Sequence, residues 1–291
     1  MKKCFYNSKM TKRIFVCTFF CVIAFSSCEK EEAYSNDNYL YPEIGKWFDY
    51  LCSSELGGRY SGSEGIKKAE EYICDIIGRS DSLTCISFPT DKCNMTNIIF
   101  HVDGDNDSLI VIGAHYDAYG YINKTPLPGA DDNLSGVAVL LKAIKAIQQD
   151  TNSPHYSLDF CFFDGEEIGR YGSKYYVNNC KRGIKHYINI DTCGNPYDGL
   201  TLAYSKYEPN LLREFKDMKD SLNMNIDEYD AMGYTTDCEP FEMKRIPFVT
   251  IRNDIVVPYY VHSYNDNVYN ISFSRLDKIS ESLVFYLKKN N

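Results

Sequence analysis

The feature that most restricts how this chain can fold is Leu134–Gln149, a segment rich in Ala, Val, Leu and Ile with little polar face, set between the apolar runs Leu109–Gly113 and Leu158–Phe163. A helix that is apolar nearly all round must be covered on most of its sides. A short unbroken apolar run bounded by polar residues reads as a strand buried on both faces. The combination is a crossover joining two parallel strands. Runs of the same kind at Asn97–Val102, Tyr187–Ile190 and Pro247–Ile251 add further strands. Ser63 is placed to cap a helix over Glu64–Ile77, with Ile66, Ala69, Ile73, Ile76 and Ile77 as its apolar stripe and Gly78 as its stop. Helices are also predicted over Asn210–Leu222 and Ser274–Lys288, the latter with Leu276, Ile279, Leu283 and Leu287 at helical spacing. Strands alternating with helices predict an α/β fold whose sheet is largely parallel and covered on both faces.

The chain has 291 residues, and no repeat or Gly/Pro/Ser-rich linker divides residues 39–291, which predicts one domain. Ahead of it, five basic residues (Lys2, Lys3, Lys9, Lys12 and Arg13) precede the apolar and small run Ile14–Ser27. That run is too short for a stable bilayer span and has the size of a signal-peptide core, so residues 1–27 are read as a leader. Ala24-Phe25-Ser26-Ser27-Cys28 resembles a bacterial lipoprotein cleavage site, although Phe25 departs from the usual Leu, Val or Ile. Lipidated Cys28 would then be followed by a polar tether to residue 38. Glu29-Lys30-Glu31-Glu32 resembles a surface-export signal of some outer-membrane lipoproteins. The expectation is an exported lipoprotein of the outer membrane, facing the periplasm or the cell surface, with membrane contact only through its lipid.

Without residues 1–27 the chain holds 26 Lys and Arg against 40 Asp and Glu, a formal charge of -14. This excludes the basic footprint that a nucleic-acid partner requires. Eight cysteines remain beyond Cys28, none in a CxxC pair, which argues against a thiolate zinc site and leaves any disulfide pattern open.

In an open parallel sheet, ligands collect beyond the carboxyl ends of the strands. Metal-binding residue types recur there. The run Leu109–Gly113 leads into His115 and Asp117, which face the same way in an extended segment. Asp131 and Asp132 open the apolar helix. Asp164, Glu166 and Glu167 follow the third strand, Asp191 the fourth, and His262 and Asp266 come after the last. Any one of these has a plainer reading, such as a solvated surface His or first-turn acids favoured by the helix dipole. Together they supply two imidazoles and three carboxylates, a donor set that suits zinc. His115, Asp132, Glu167, Asp191 and His262 are the candidate ligands of two zinc ions. Glu166 is left as a proton carrier, and Asp131, next to Asp132, should face away from the metals. His101, His155 and His186 fall outside the pattern and read as solvated or packed side chains.

Several stretches share an order with a known family: Leu51-Cys52-Ser53-Ser54-Glu55-Leu56-Gly57-Gly58-Arg59, the His115/Asp117 pair, Gly129–Gly136, Gly165-Glu166-Glu167-Ile168-Gly169 with Gly172-Ser173, Asn189-Ile190-Asp191, and His262 with Asp266. From about residue 40 onward the chain resembles the secreted bacterial two-zinc aminopeptidases, zinc exopeptidases that also include glutaminyl cyclases. The resemblance implies a three-layer αβα sandwich around a mixed sheet. It implies that Asp132 bridges two metals, His115 and Asp191 completing one site and Glu167 and His262 the other. Asp117 would orient His115. The implied enzyme is a monomeric metal-dependent exopeptidase, an aminopeptidase acting on peptide or protein N-termini through a zinc-bridged hydroxide with Glu166 as general base.

Thr236-Asp237-Cys238-Glu239-Pro240-Phe241 departs from the family's usual Ser-Asp-His before Pro-Phe. Cys238 there reads either as a disulfide partner of Cys193 or as a buried core thiol, and Tyr234 as an oxyanion donor or a packing residue. Two other functions fit parts of the pattern. A glutaminyl-peptide cyclotransferase with a single zinc would suit Phe162–Glu167, but the loop to Ser173 is short, Asp131–Gly136 is peptidase-like, and Trp47 is the sole tryptophan. A non-catalytic surface binding lipoprotein would need a gap in the catalytic set, and there is none.

Overall fold

The computed structural model describes residues 34, 36–196, 199–205, 207, 211–215, 220, 222, 226–230, 236–253 and 260–289; the leader, Cys28 and Tyr234 lie outside them. The strands are β1 (Leu83–Pro89), β2 (Asn94–Val102), β3 (Asn106–His115), β4 (Tyr121–Ile122), β5 (Thr125–Pro126), β6 (Tyr156–Phe163), β7 (Ile184–Ile190), β8 (Leu200–Tyr204), β9 (Ile226–Asp230) and β10 (Phe248–Arg252). The helices are α1 (Pro42–Leu51), α2 (Glu64–Ile77), α3 (Ser135–Gln148), α4 (Tyr171–Asn179), α5 (Leu211–Glu214), α6 (Glu239–Met243) and α7 (Phe273–Lys289).

Among the described residues, eight strands form one sheet in the order β1-β2-β6-β3-β7-β10-β8-β9. The inner four, β6, β3, β7 and β10, are mutually parallel. β1 and β2 add an antiparallel wing on one side, and β8 turns antiparallel against β10 on the other. The chain leaves β3 for β6 on one side, then returns past it to β7 on the other. The order of connection therefore reverses at β3, and such a reversal opens a crevice at the carboxyl ends. His115 is the last residue of β3.

Alternate side chains of the inner strands enter separate cores, as the pleat requires. Ile110, Ile112, Phe160, Phe162, Ile188 and Ile190 pack with α1, α2, α3 and α7. Leu109, Val111, Cys161, Phe163 and Tyr187 face Tyr176 and Val177 of α4 and Phe241 of α6, with Tyr187 stacked on Phe241. These are the three layers expected. They also settle the thiols: Cys193 lies in the first core and Cys238 in the second, both unpaired, so the option of a Cys193–Cys238 disulfide is excluded.

The crossover helix α3 is buried from Ser135 to Leu141, which is why its sequence lacks a polar face. The helix over Glu64–Ile77 forms with its predicted bounds, the Ser63 hydroxyl accepting from the Ile66 N–H. Of the helix predicted over Asn210–Leu222, the described part is α5, with residues 220 and 222 also helical. The strands β1, β8 and β9 and the helices α1, α4 and α6 have no counterpart in the sequence reading. The packed domain also begins earlier than residue 39. Residues 36–40 are helical, the Tyr34 ring meets Tyr269 and Phe273 edge-on, and Asp37 accepts from the Phe273 N–H at 2.8 Å.

His186 shows what burial does to a titratable ring in this core. It is 1% exposed, sits by Phe215 and Tyr286, and its Nε2 lies 3.1 Å from the Tyr286 hydroxyl. Burial, with a smaller push from Lys185, lowers its pKa to about 3. Between its ordinary value of 6.5 and about 3 the unfolded chain binds a proton that the folded one refuses. Stability is therefore expected to fall as pH drops below 6.5, by up to ~1.4 kcal/mol per pH unit from this group. In urea unfolding at pH 7 and pH 5, His186→Gln should lose less stability between the two than the unaltered chain.

Candidate metal centre

The centre is assembled where β3, β6 and β7 end. His115 is held at the end of β3, 2% exposed, with its Nε2 3.2 Å from Asp132 Oδ1 and 3.9 Å from Asp191 Oδ1. His262 approaches from the far side. Its Nε2 lies 3.1 Å from Asp132 Oδ2 and 2.9 Å from Glu167 Oε2. Asp132 thus offers one oxygen to each imidazole. Two clusters result, His115/Asp132/Asp191 and Asp132/Glu167/His262, each with donor atoms within 4.8 Å of one another and able to hold a cation. All five residues named from the sequence meet here, and Glu166 belongs to neither cluster.

Asp132 is not in the first turn of α3. It sits in an irregular turn, Ala130–Leu134, where Asp132 (φ −109°, ψ 90°) and Asn133 leave helical geometry. Gly129 enters that turn at φ +57°, and a Cβ there would lie 2.7 Å from both the Asp132 carbonyl and the Ala118 Cβ. Asp266 caps the turn by accepting the N–H groups of Asp131 (2.6 Å) and Asp132 (3.1 Å). The Asn133 amide bonds the Ile190 carbonyl at 2.9 Å and accepts the Gly136 N–H at 3.0 Å, so α3 starts hard against the end of β7. At Gly136 a Cβ would come within 2.5 Å of the Ile190 carbonyl. Asp131 faces away, its carboxylate accepting from Gly194 N–H, Asn253 Nδ2 and the Tyr260 hydroxyl at 2.6–2.7 Å. Beneath lies the buried Arg59 guanidinium, which bonds the carbonyls of Leu51, Tyr116, Pro128 and Gly129.

Asp117 lies against the His115 ring, as its spacing predicts, and has a second task. The His115 Nδ1 lies 3.2 Å from the Asp117 carbonyl oxygen, nearer than the 3.5 Å to the carboxylate. The carboxylate also accepts the N–H groups of Glu166 (3.1 Å) and Glu167 (3.2 Å) and fixes the turn that carries both. The Ser61 hydroxyl links it to Asp164. The ring of Tyr119 stacks on His262, centroids 4.6 Å apart. Asp266, Arg59, Asn133 and Ser61 were missed as positioning residues. Arg59, Asn133 and Asp266 lie within the stretches that carry the resemblance, but their residue types do not show which backbone groups they hold.

The electrostatics favour a cation. Burial raises Glu167 to about 7, with the Asp132 charge adding to it. It likewise raises Asp131 to about 6, Asp266 to about 8 and Asp164 to about 7. Burial also pushes Glu166 well up, with Asp237, Asp191 and Glu167 adding and His115 opposing. For Asp132 burial is outweighed by hydrogen bonds to His115 and His262, and its carboxyl stays below the ordinary range. His262 is raised to about 10 by Asp132 and Glu167. Two imidazoles cannot neutralise this many buried acids, and the buried Glu167 Oε1 makes no hydrogen bond among the described residues. Nitrogen and carboxylate donors around unbalanced negative charge fit divalent zinc.

Because Asp266 holds the turn under the shared carboxylate, Asp266→Ala is expected to weaken zinc binding by about 10- to 100-fold. Competition against a chromogenic chelator would measure it, and unchanged affinity would remove Asp266 from the support of the site.

Residues 97–287 match the model of Peptidase family M28. Leupeptin-inactivating enzyme 1 of Streptomyces exfoliatus is 29% identical over 205 residues, 68% of this chain and 45% of that protein. Leucine aminopeptidase 1 of Arthroderma gypseum is 27% identical over 154 residues, 49% of this chain and 39% of that one. The chain thus spans less than half the length of these two relatives. Among solved structures, the Legionella pneumophila LapA aminopeptidase superposes with a TM-score of 0.72 at 18% identity, covering 91% of this chain and 74% of that one. The Bacteroides thetaiotaomicron glutaminyl cyclase bound to N-acetylhistamine does so at 0.70 and 20%, covering 90% and 98%. At these identities the superpositions show a common fold. With its family model spanning most of the domain and its mixed sheet ending in paired His and carboxylate clusters, the chain belongs to peptidase family M28.

Proposed function

We propose that this chain is a metal-dependent exopeptidase, and more narrowly an aminopeptidase with two zinc ions. The observation that carries the reading is the division of Asp132, one oxygen toward His115 and the other toward His262. Asp191 would complete the first ligand set and Glu167 the second. Zinc held there would supply Lewis acidity to a water molecule and to the scissile carbonyl oxygen. Glu166, positioned through its backbone by Asp117 and outside both clusters, would accept the proton of the attacking water at its carboxylate and return it to the leaving amine. The leucine aminopeptidases among its relatives support amino-terminal cutting.

Incubating the zinc-loaded protein with a peptide mixture should shorten peptides from the amino end. Glu166→Gln should retain two metal equivalents per chain while turnover falls by about 10²- to 10⁴-fold. Near-normal turnover in that variant would remove the proposed base. One metal equivalent with pyroglutamate as product would turn the reading to a cyclotransferase, and no metal-dependent reaction would leave a binding protein.

The same proposal places the enzyme, as a monomer, outside the cytoplasm on a lipid anchor at Cys28. Cys28→Ala is then expected to move it from the membrane fraction to the soluble one, as immunoblotting of fractions would record.

A further inference from the structure

We propose that Cys74 and Cys85 are the site of a disulfide that fastens helix α2 to the edge strand β1. Their sulfurs lie 3.3 Å apart, and among the described residues no other two cysteines bring their sulfurs into hydrogen-bond contact. The two residues sit on consecutive elements joined by residues 78–82, so the bond would close a short loop. Cys74 is on the buried stripe of α2, 2% exposed. Cys85 lies midway along β1, opposite Ile98, on a strand that among the described residues pairs only with β2. Closing the bond to about 2.05 Å requires a movement of little more than an ångström, which the exposed Cys85 can make by rotating its side chain.

Exposure also sets the order of events. An external disulfide, either a small one such as oxidised glutathione or that of a dithiol oxidoreductase, can reach Cys85 but not Cys74. The Cys85 thiolate attacks one sulfur of the oxidant and releases its first thiol, leaving a mixed disulfide. Cys74 then gives up its proton and attacks the Cys85 sulfur, and the second thiol departs. Two protein thiols are oxidised by two electrons, the oxidant's disulfide is reduced to two thiols, and the two protons end on them. The hydrogen bond between the two cysteines holds the Cys85 thiol below its ordinary pKa and raises that of Cys74, which suits Cys85 as the first nucleophile. A compartment that keeps disulfides oxidised would maintain the link.

The test uses the full reduced chain, treated with oxidised glutathione under native conditions and digested with trypsin. Peptides 69–79 and 80–92, each with one cysteine, should appear joined, at their summed mass less two hydrogens. Cys74→Ser should instead carry a glutathione adduct on peptide 80–92, and Cys85→Ser should leave peptide 69–79 unmodified. The oxidised unaltered chain should melt a few degrees above its reduced form. Recovery of the two peptides unlinked from folded protein, attachment of Cys85 to a different cysteine, or an unchanged Tm would overturn the proposal. None of these readouts depends on peptidase activity.

Discussion

One carboxylate shared between two imidazoles is the constraint to which the rest of this molecule answers. Asp132 can face both His115 and His262 only from a turn that departs from helical geometry, and such a turn is unfavourable unless its backbone groups are satisfied. The residues around it do that work. Asp266 takes two N–H groups, Asn133 ties the turn to β7 and to the start of α3, and Arg59 gathers the carbonyls on the approach. A sheet whose connections reverse at β3 brings these loops to one place.

The centre concentrates acid far beyond what burial alone tolerates. Buried carboxylates normally need partners or lose their charge. Some here are satisfied by protein donors: Asp131 by Gly194, Asn253 and Tyr260, and Asp117 by the Glu166 and Glu167 amides. Asp132 and Glu167 instead meet the two imidazoles, and Glu167 Oε1 has no hydrogen bond among the described residues. The division separates acids that build the cradle from acids that await a cation, and side-chain type alone would not distinguish Asp131 from Asp132.

Much of this was legible in the sequence for identifiable reasons. The inner strands and the first half of α3 are buried on all sides, so their composition announces them; the ligands stand where those strands end. The wings were not legible. β1 is half-exposed and carries Thr84, Ser87 and Pro89, and β8 and β9 are short strands whose pairing comes from partners far along the chain. The support of the site was harder to read: Asp266 stands with His262 in the sequence pattern, but nothing in its residue type says that it caps the Asp131 and Asp132 amides. Asp117 shows what periodicity leaves out. Its spacing places it beside His115, but not its second task of anchoring the next loop through the Glu166 and Glu167 amides.

The loop that ends the cluster serves two ends of it at once. His262 provides a donor at one end of the stretch, and four positions later Asp266 grips the backbone beneath Asp132. One five-residue stretch therefore carries both the donor of one half and the backbone support of the carboxylate common to both, so the two halves share a single foundation.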